Sequence, residues 1–94
     1  MFATDSTPPP THCFSVLAAP DASVMPRVLG LFAKRGIVPA RFHGGAVGDE
    51  LAIDVQVRGL DAGTAAHIAE CLRGLVAVDR VLTAVKRETR AVCA

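Results

Sequence analysis

The chain has 94 residues, which is enough for one domain but too few for two separate hydrophobic cores. About half of it (51%) is apolar and 20% is charged, so the apolar side chains suffice to offset the entropy lost on folding. A net charge of +1 is too small for a protein that neutralises many phosphates. With no Trp and no Tyr, the chain also has few aromatic rings to stack on bases. We therefore expect a folded domain without a nucleic-acid partner.

Cysteine usage and hydropathy exclude several further classes of protein. Cys13, Cys71 and Cys93 show neither CxxC spacing nor an even count, so the sequence predicts no disulfide framework, no metal site and no cofactor. We interpret Cys13 and Cys71 as small residues of the core. The sequence has neither an apolar run of about 18 residues nor a basic, apolar signal segment at its start. We expect a cytoplasmic protein that does not bind membranes.

The beginning of the chain predicts a leader followed by a strand. Residues 1–11 include three consecutive prolines, which favour extended geometry and do not join a helix, so we expect a flexible, Pro-rich leader there. The domain is predicted over residues 12–86, with a charged C-terminal tail over residues 87–94. Residues 12–19 form an apolar run of strand length, which is typical of a strand at the centre of a sheet.

The first helix is predicted to begin at Val24 and to end at the basic residues Lys34 and Arg35. Pro26 fits in its first turn, where a missing N–H costs little. Gly36 follows as a residue that readily adopts the left-handed conformation of a helix end. Apolar residues recur at spacings of three, four and seven and so form one broad face. They are Val24, Met25, Val28, Leu29, Leu31 and Phe32.

Two strands joined by a hairpin are predicted next. The second strand is expected over residues 37–43, and Pro39 within it would remove one hydrogen-bond donor and so place the strand at an edge of the sheet. Residues 44–49 are rich in glycine and predict the connecting loop. Residues 51–58 alternate between apolar and polar side chains, which predicts a third strand with one buried and one solvated face. The polar side chains of the solvated face are Asp54, Gln56 and Arg58.

A second helix and a fourth strand complete the predicted domain. Asp61 is the expected cap of the helix, which ends near Gly74, and residues 76–85 predict the strand. The inward stripe of the helix comprises Ala65, Ile68, Ala69, Leu72 and Leu75. The order βαββαβ packs as an α+β, ferredoxin-like sandwich, a four-stranded antiparallel sheet with two helices on one face. Right-handed crossovers put the first and third strands at the centre and the second and fourth at the edges.

Catalytic constellations are not evident from the sequence. His12, His43 and His67 have no nucleophile clustered with them, so structural roles are favoured over general-base roles. An acylphosphatase-like site would need an arginine and a phosphate cradle in the first strand-to-helix loop, whereas Arg27 falls inside the predicted helix. The solvated sheet face is as consistent with a partner surface as with simple solvation.

The loop over residues 20–23 has the chemistry of a ligand site. It leads into the N-terminus of the first helix, whose free amides and positive dipole end suit a carboxylate such as that of an amino acid. Asp21 or Ser23 could instead satisfy the same amides from within the chain, which is the commoner arrangement. Both interpretations stay open at the level of the sequence.

Two segments resemble a known family, the ACT domains of the small regulatory subunit of acetolactate synthase. Residues 23–37 resemble its first-helix signature, roughly G-x-L-x-R-V-x-G-L-F-x-x-R-G. The matching positions are Arg27, Val28, Gly30, Leu31, Phe32, Arg35 and Gly36. Residues 75–81 resemble the L-V-D-V-x-x-V run that opens the family's last strand. The resemblance covers about residues 12–86, and the βαββαβ fold of the family agrees with the predicted order.

The resemblance implies a regulatory subunit that has no active site of its own and forms a homodimer through edge strands. Its partner would be the catalytic subunit of acetolactate synthase, in branched-chain amino-acid synthesis, and the chain is similar to the short, single-domain activators of that family. The alternative is a stand-alone ACT domain that binds an amino acid or other small ligand and regulates another enzyme.

The resemblance also implies where an amino-acid effector would bind. The candidate residues are Pro20, Asp21, Ala22, Ser23, Val24, Met25 and Val38. The family has Asn, Gly and Asn where this chain has Pro20, Ser23 and Val38. Pro20 and Val38 offer no side-chain amide, and Ser23 adds a side chain where the backbone has to approach closely. These replacements argue against feedback by valine.

Overall fold

The structure is a computed structural model that describes residues 9–86. Its elements are β1 (Thr11–Ala18), α1 (Val24–Lys34), β2 (Arg41–Val47), β3 (Glu50–Arg58), α2 (Ala62–Arg73) and β4 (Val78–Lys86). The strands form one antiparallel sheet in the order β2-β3-β1-β4. The predicted ferredoxin-like α+β fold is therefore confirmed, as are its central and edge strands. Nearly all of the predicted leader (1–11) and the whole predicted tail (87–94) lie outside the described residues.

The hydrophobic core lies between the two helices and one face of the sheet. Phe14 of β1 and Phe32 of α1 are fully buried and pack edge to face, with ring centroids 5.6 Å apart. Burial of such side chains is the main favourable term in folding, at about 25 cal/mol per Å² of apolar surface. The alternation predicted for β3 is confirmed, because Leu51, Ile53, Val55 and Val57 are all buried.

Both helices end as the sequence predicts. Gly36 follows α1 with a φ of 70°, a left-handed conformation that glycine adopts without strain. Asp61 caps α2, because its Oδ1 accepts a hydrogen bond of 3.3 Å from the amide of Thr64. The predicted inward face of α1 is confirmed in part, since Val24, Val28 and Phe32 are buried but Leu29 is 43% exposed.

The second strand differs from its prediction. It runs over Arg41–Val47 instead of residues 37–43, so Pro39 precedes the strand and removes no hydrogen bond from the ladder. The edge position of the strand is confirmed, although of the two reasons given for it only the crossover holds. The crossover topology, and not the proline, places β2 at the edge.

The hairpin between β2 and β3 is shorter than predicted. Val47 lies opposite Glu50, so the turn consists of Gly48 and Asp49 alone, and most of the predicted loop over residues 44–49 belongs to β2. Gly48 has a φ of 62°, as the first central residue of a type II′ turn requires. Glycine is depleted in strands and adds no hydropathy signal, which is why this part of β2 looked like a loop.

The fourth strand begins two residues later than predicted, because a tight turn precedes it. The amide of Val78 donates to the carbonyl of Leu75 at 3.2 Å, and Ala77 has a φ of 77°. A positive φ at the third residue of a four-residue turn is typical of type II turns, which favour glycine there. Ala77 therefore carries backbone strain.

The cysteines do not belong to the core, which corrects their predicted role. Cys13 and Cys71 are only half-buried. Cys13 lies opposite Gln56 and Ala84 on the sheet face away from the helices, because its neighbours His12 and Phe14 take the helix side of the alternating strand. Separately, no helix within residues 9–86 has both the length and the apolar character needed to cross a membrane.

Replacing Ala77 with glycine should stabilise the fold. Ala77→Gly relieves the positive φ, and after the larger entropy of the unfolded chain is subtracted we expect a gain of about 0.5–1 kcal/mol in the free energy of unfolding. Urea denaturation measures this change in the free energy of unfolding. The same change at Ala33, an exposed position of α1, should instead lower stability by about 1 kcal/mol. A loss at both positions would contradict the strained turn.

Candidate effector site

The loop between β1 and α1 is tightly folded on its own backbone. The amide of Asp21 donates to the carbonyl of Ala19 at 2.7 Å, which closes a narrow turn around Pro20. The amide of Val24 donates to the carbonyl of Asp21 at 3.1 Å and so fixes the start of α1. Ala22 is exposed and completes the loop. These two bonds hold the backbone of the loop in a compact turn.

The carboxylate of Asp21 occupies the N-terminus of α1. Its Oδ1 accepts hydrogen bonds of 2.9 Å from both the amide and the hydroxyl of Ser23. Ser23 is the N-cap residue but makes no side-chain cap bond, and the Asp21 carboxylate holds the backbone and side chain of this N-cap residue. The chain thus places a carboxylate of its own beside this helix end, while the effector site over this loop stays a prediction.

The electrostatics of the loop keep Asp21 ionised. The hydrogen bond from the Ser23 amide is the largest cause that lowers the pKa of the Asp21 carboxyl from its ordinary value of 3.8, followed by the bond from the Ser23 hydroxyl. The positive charge of Arg27 lowers this pKa further. A second carboxylate brought to the same amides would therefore meet a fixed negative charge.

Val24 and Met25 anchor the helix to the sheet. Val24 is fully buried in the core. Met25 packs against β2, where a Cβ on Gly44 would come within 3.3 Å of the Met25 Sδ and 3.2 Å of Ile53 Cγ1. The missing side chain of Gly44 makes room for the thioether. Both predicted effector residues thus have structural roles in α1.

Val38 lies at the opposite end of α1 from the other candidate residues. It is 87% exposed in the segment between α1 and β2, whose Ala40 amide bonds the Gln56 carbonyl at 2.8 Å. The loop over residues 20–23 instead follows the end of β1 that pairs with Leu51. An 11-residue helix spans about 16 Å, so one chain does not bring Val38 and the loop together.

The pattern of hydrogen bonds fixes which backbone groups lie at the free edge of β2. In an antiparallel ladder the N–H and C=O of one residue point to the same side, and successive residues alternate. The bond between Ala40 and Gln56 shows that the carbonyl of Gln56 faces β2, so Arg41 opposite it faces β3. From Arg41 onward, successive residues of β2 therefore face β3 and the free edge in turn. Phe42, Gly44 and Ala46 present their backbone groups at the free edge.

The open face of the sheet brings together no recognisable catalytic set. His43, Asp54 and Ser15 lie side by side across three strands, but Asp54 is in the middle of this row and bonds Gln56 at 3.5 Å. A nucleophile needs the histidine beside it. Asp54 and Gln56 are half-buried on this face, as predicted. Within residues 9–86, His, Cys, Asp and Glu side chains form no group of three or more that could hold a metal ion.

His12 was overlooked as a core residue. It is only 8% exposed, and its Nδ1 is enclosed without a hydrogen-bond partner among the described residues. The signal was present in the sequence, because His12 shares the two-residue period of the buried Phe14 and Val16. His43 and His67 are exposed.

Comparison with known proteins places the chain by its fold. The profile of the ACT-like domain family matches residues 10–89, whereas no curated protein sequence matches significantly. The ACT domain of GTP pyrophosphokinase from Chlorobium tepidum, solved in solution, has a TM-score of 0.69 at 9% identity and covers 79% of this chain and 84% of its own. Its crystal structure gives the same score and identity, with 79% and 96% covered. The C-terminal domain of MgtC from Mycobacterium tuberculosis has a TM-score of 0.66 at 15% identity, with 95% and 99% covered.

The cap formed by Asp21 should make the domain sensitive to acid. Because the folded pKa of Asp21 is lowered, its carboxylate contributes stability above the unfolded value, and this contribution is lost as the pH falls through the folded value. Urea midpoints at pH 7, 5 and 3 should show Asp21→Asn less stable than the parent chain at pH 7 and a smaller difference between the two at pH 3. Asp49→Asn, in the hairpin turn, is the control. A constant difference between parent and Asp21→Asn across the pH range would refute the cap.

Proposed function

The chain belongs to the ACT-like domain family, and from this premise we propose that it is a non-catalytic regulatory subunit that binds and activates the catalytic subunit of acetolactate synthase. Domains of this family are generally regulatory modules that bind small ligands. The choice of partner is supported by the similarity of α1 and of the turn into β4 to that enzyme's small subunits. Part of this similarity has a structural explanation, since Val28 and Phe32 are buried and Gly36 ends the helix. The rest lies on the surface.

Gly30 is the observation on which the proposed partnership depends. A glycine inside a helix lowers stability by about 1 kcal/mol relative to alanine, and a Cβ at Gly30 would meet nothing within 4 Å. No contact within residues 9–86 therefore requires a glycine here. Pro26 and Ala33 share this outer side of α1 at helical spacing. A surface of such small residues lets the backbone of another subunit approach closely.

The free edge of β2 is suited to homodimerisation. Two β2 strands paired antiparallel about Gly44 would place Phe42 opposite Ala46 and Arg41 opposite Val47 of the second copy, so that no like charges meet. Leu29 lies one turn after Met25 on the side of α1 that faces β2, and its 43% exposure leaves apolar surface beside this edge. The two α1 helices would then lie side by side above a continuous eight-stranded sheet.

A dimer of this kind would also bring the candidate effector residues nearer to each other. The twofold axis reverses the direction of α1, so the loop over residues 20–23 of one copy moves toward Val38 of the other. The amino-acid carboxylate would still have to displace that of Asp21 from Ser23. We therefore propose an activator that does not respond to valine.

Activation of the catalytic subunit tests the proposed function directly. The purified chain is mixed with the acetolactate synthase catalytic subunit of its own genome, and acetolactate formation is measured with and without valine, leucine and isoleucine. We expect a faster rate that valine does not reduce. Gly30→Leu should fold at least as stably but bind the catalytic subunit about tenfold or more weakly, a loss of about 1.4 kcal/mol.

The matched control is Gly63→Leu, the same change in the exposed first turn of α2. It should leave activation unchanged. No rise in rate with the parent chain would contradict the proposed partnership and favour the stand-alone ligand-binding ACT domain. Equal loss of activation in both variants would contradict the role of the outer side of α1.

The oligomeric state tests the proposed dimer separately. Leu29→Glu introduces a charge beside the free edge of β2 and should convert a dimer to a monomer in sedimentation experiments, because a buried unpaired charge is costly at an interface. Leu82→Glu is the control, since Leu82 is an equally exposed leucine on the open sheet face. It should remain dimeric. A parent chain that is already monomeric, or loss of the dimer in Leu82→Glu alone, would exclude pairing through β2.

A further inference from the structure

A groove of about 490 Å³ lies between α2 and the edge strand β4. Its helix wall includes Glu70 and Arg73, which form an ion pair of 2.8 Å, and four alanines on one face of α2. The alanines are Ala62, Ala65, Ala66 and Ala69. Because each of these side chains is a single methyl group, the helix leaves open space beside the sheet. The volume falls within the range of cavities that hold ligands or inserted side chains.

The opposite wall of the groove is the free edge of the sheet. Thr83, Ala84 and Val85 line it consecutively, although the side chain of Ala84 is on the other face of β4, opposite Cys13. The backbone of the strand is therefore part of the wall. An extended segment lying in this groove would meet main-chain groups as well as side chains.

The contact of Arg73 shows which backbone groups those are. Arg73 Nη2 donates to the carbonyl of Val81 at 3.1 Å, so this carbonyl points away from β1. By the alternation of the ladder, Thr83 and Val85 also direct their N–H and C=O groups outward. The N–H and C=O groups of Thr83 and Val85 thus provide two donors and two acceptors in a row at the mouth of the groove. The row ends at Val81, whose carbonyl is covered by the guanidinium of Arg73.

The floor of the groove contains a buried polar group without a partner. His12 lines the cavity, lies opposite Val85 in the β1–β4 pair and is 8% exposed. Its enclosed Nδ1 has no hydrogen-bond partner among residues 9–86. An apolar residue would fill this place without that cost. The part of the imidazole that lines the groove is the polar surface that a side chain entering beside Val85 would approach.

The charge of β4 indicates the kind of segment that would bind. The face of β4 away from the helices carries Arg80 and Lys86, both exposed, and no acidic residue, since the alternate residues between them are Leu82 and Ala84. We propose that the groove binds an extended, acidic peptide segment of a partner protein, which joins the sheet as a fifth strand beside β4. Main-chain pairing supplies the binding and the alanine-lined groove selects the inserted side chain.

A second copy of this chain fits the groove less well. Two β4 strands paired antiparallel about Thr83 would set Arg80 opposite Lys86 of the other copy, twice, and like charges directly opposite each other are destabilising. The guanidinium of Arg73 covers the Val81 carbonyl against either occupant, so the like charges alone distinguish a second copy from an acidic peptide. The surface is thus distinct from the β2 edge, at the other side of the sheet, and does not depend on the identity of the regulated enzyme.

The register of β4 specifies a test peptide. Pairing about Thr83 places glutamates opposite Arg80 and Lys86, an apolar side chain opposite Thr83 and a hydroxyl opposite Val85. The probe is acetyl-Glu-Thr-Ser-Val-Leu-Thr-Glu-amide, titrated into the full ¹⁵N-labelled chain and followed by two-dimensional NMR. We expect saturable shifts of the Thr83, Ala84 and Val85 amides and slower solvent exchange at Thr83 and Val85. The same peptide with lysine for both glutamates should bind about tenfold or more weakly.

A matched pair of variants separates the groove from the rest of the surface. Ala66→Leu fills the groove from an exposed position of α2 and should weaken binding about tenfold or more, whereas Ala33→Leu on α1 should not change it. Shifts confined to Phe42–Ala46, equal binding of the lysine peptide, or no saturable shift would each overturn the proposal. So would β4 amides that are already protected in a chain shown to associate through them, because a second copy would then occupy the edge.

Discussion

The contact between Phe14 and Phe32 fixes the remainder of the molecule. The two rings meet at 67° where the central strand β1 and the helix α1 cross, and both are fully buried. Once Phe14 faces the helices, the two-residue period of the strand decides the side of every other residue in β1. The antiparallel registers then determine which side of the sheet each residue of β3 and β4 occupies. The pairing with β3 does the same for β2. The open face and the backbone groups at both free edges follow from it.

The same period explains which parts of the fold could be predicted from the sequence. β3 has buried β-branched and leucine side chains at every second position, so its hydropathy alone defines it. The residues of β2 on the core side of the sheet are Phe42, Gly44 and Ala46, and only one of these is large. The order of β2 in the sheet was predictable from the crossover rule, whereas its bounds required the ladder itself. The turn at Ala77 could not be predicted either, because the sequence has alanine at a position whose positive φ favours glycine.

The position of the candidate site at the N-terminus of α1 was predictable from the sequence, but the arrangement of its residues in space was not. The cap-forming residues before Val24 indicated the helix N-terminus, and the Asp21 carboxylate lies beside it, bonded to Ser23. Short-range bonds of this type follow from local spacing. The separation of Val38 from the loop does not, because it depends on the direction of α1 across the sheet. His12 is an intermediate case: its two-residue period was visible in the sequence, but the absence of a partner for its enclosed Nδ1 among residues 9–86 is a result of tertiary packing.

Structural similarity at 9–15% sequence identity shows the fold. Function has to be argued from the surfaces of the chain. On this chain the surfaces divide between the two free edges of the sheet. At β2, the residues whose backbone groups face the free edge are Phe42, Gly44 and Ala46. No like charges would meet across a twofold axis there, so this edge suits a second copy. At β4, Arg80 and Lys86 lie on the open face, which disfavours self-pairing and favours an acidic strand. A sheet with two edges of different chemistry can therefore join a dimer through one and a different protein through the other, without competition between them.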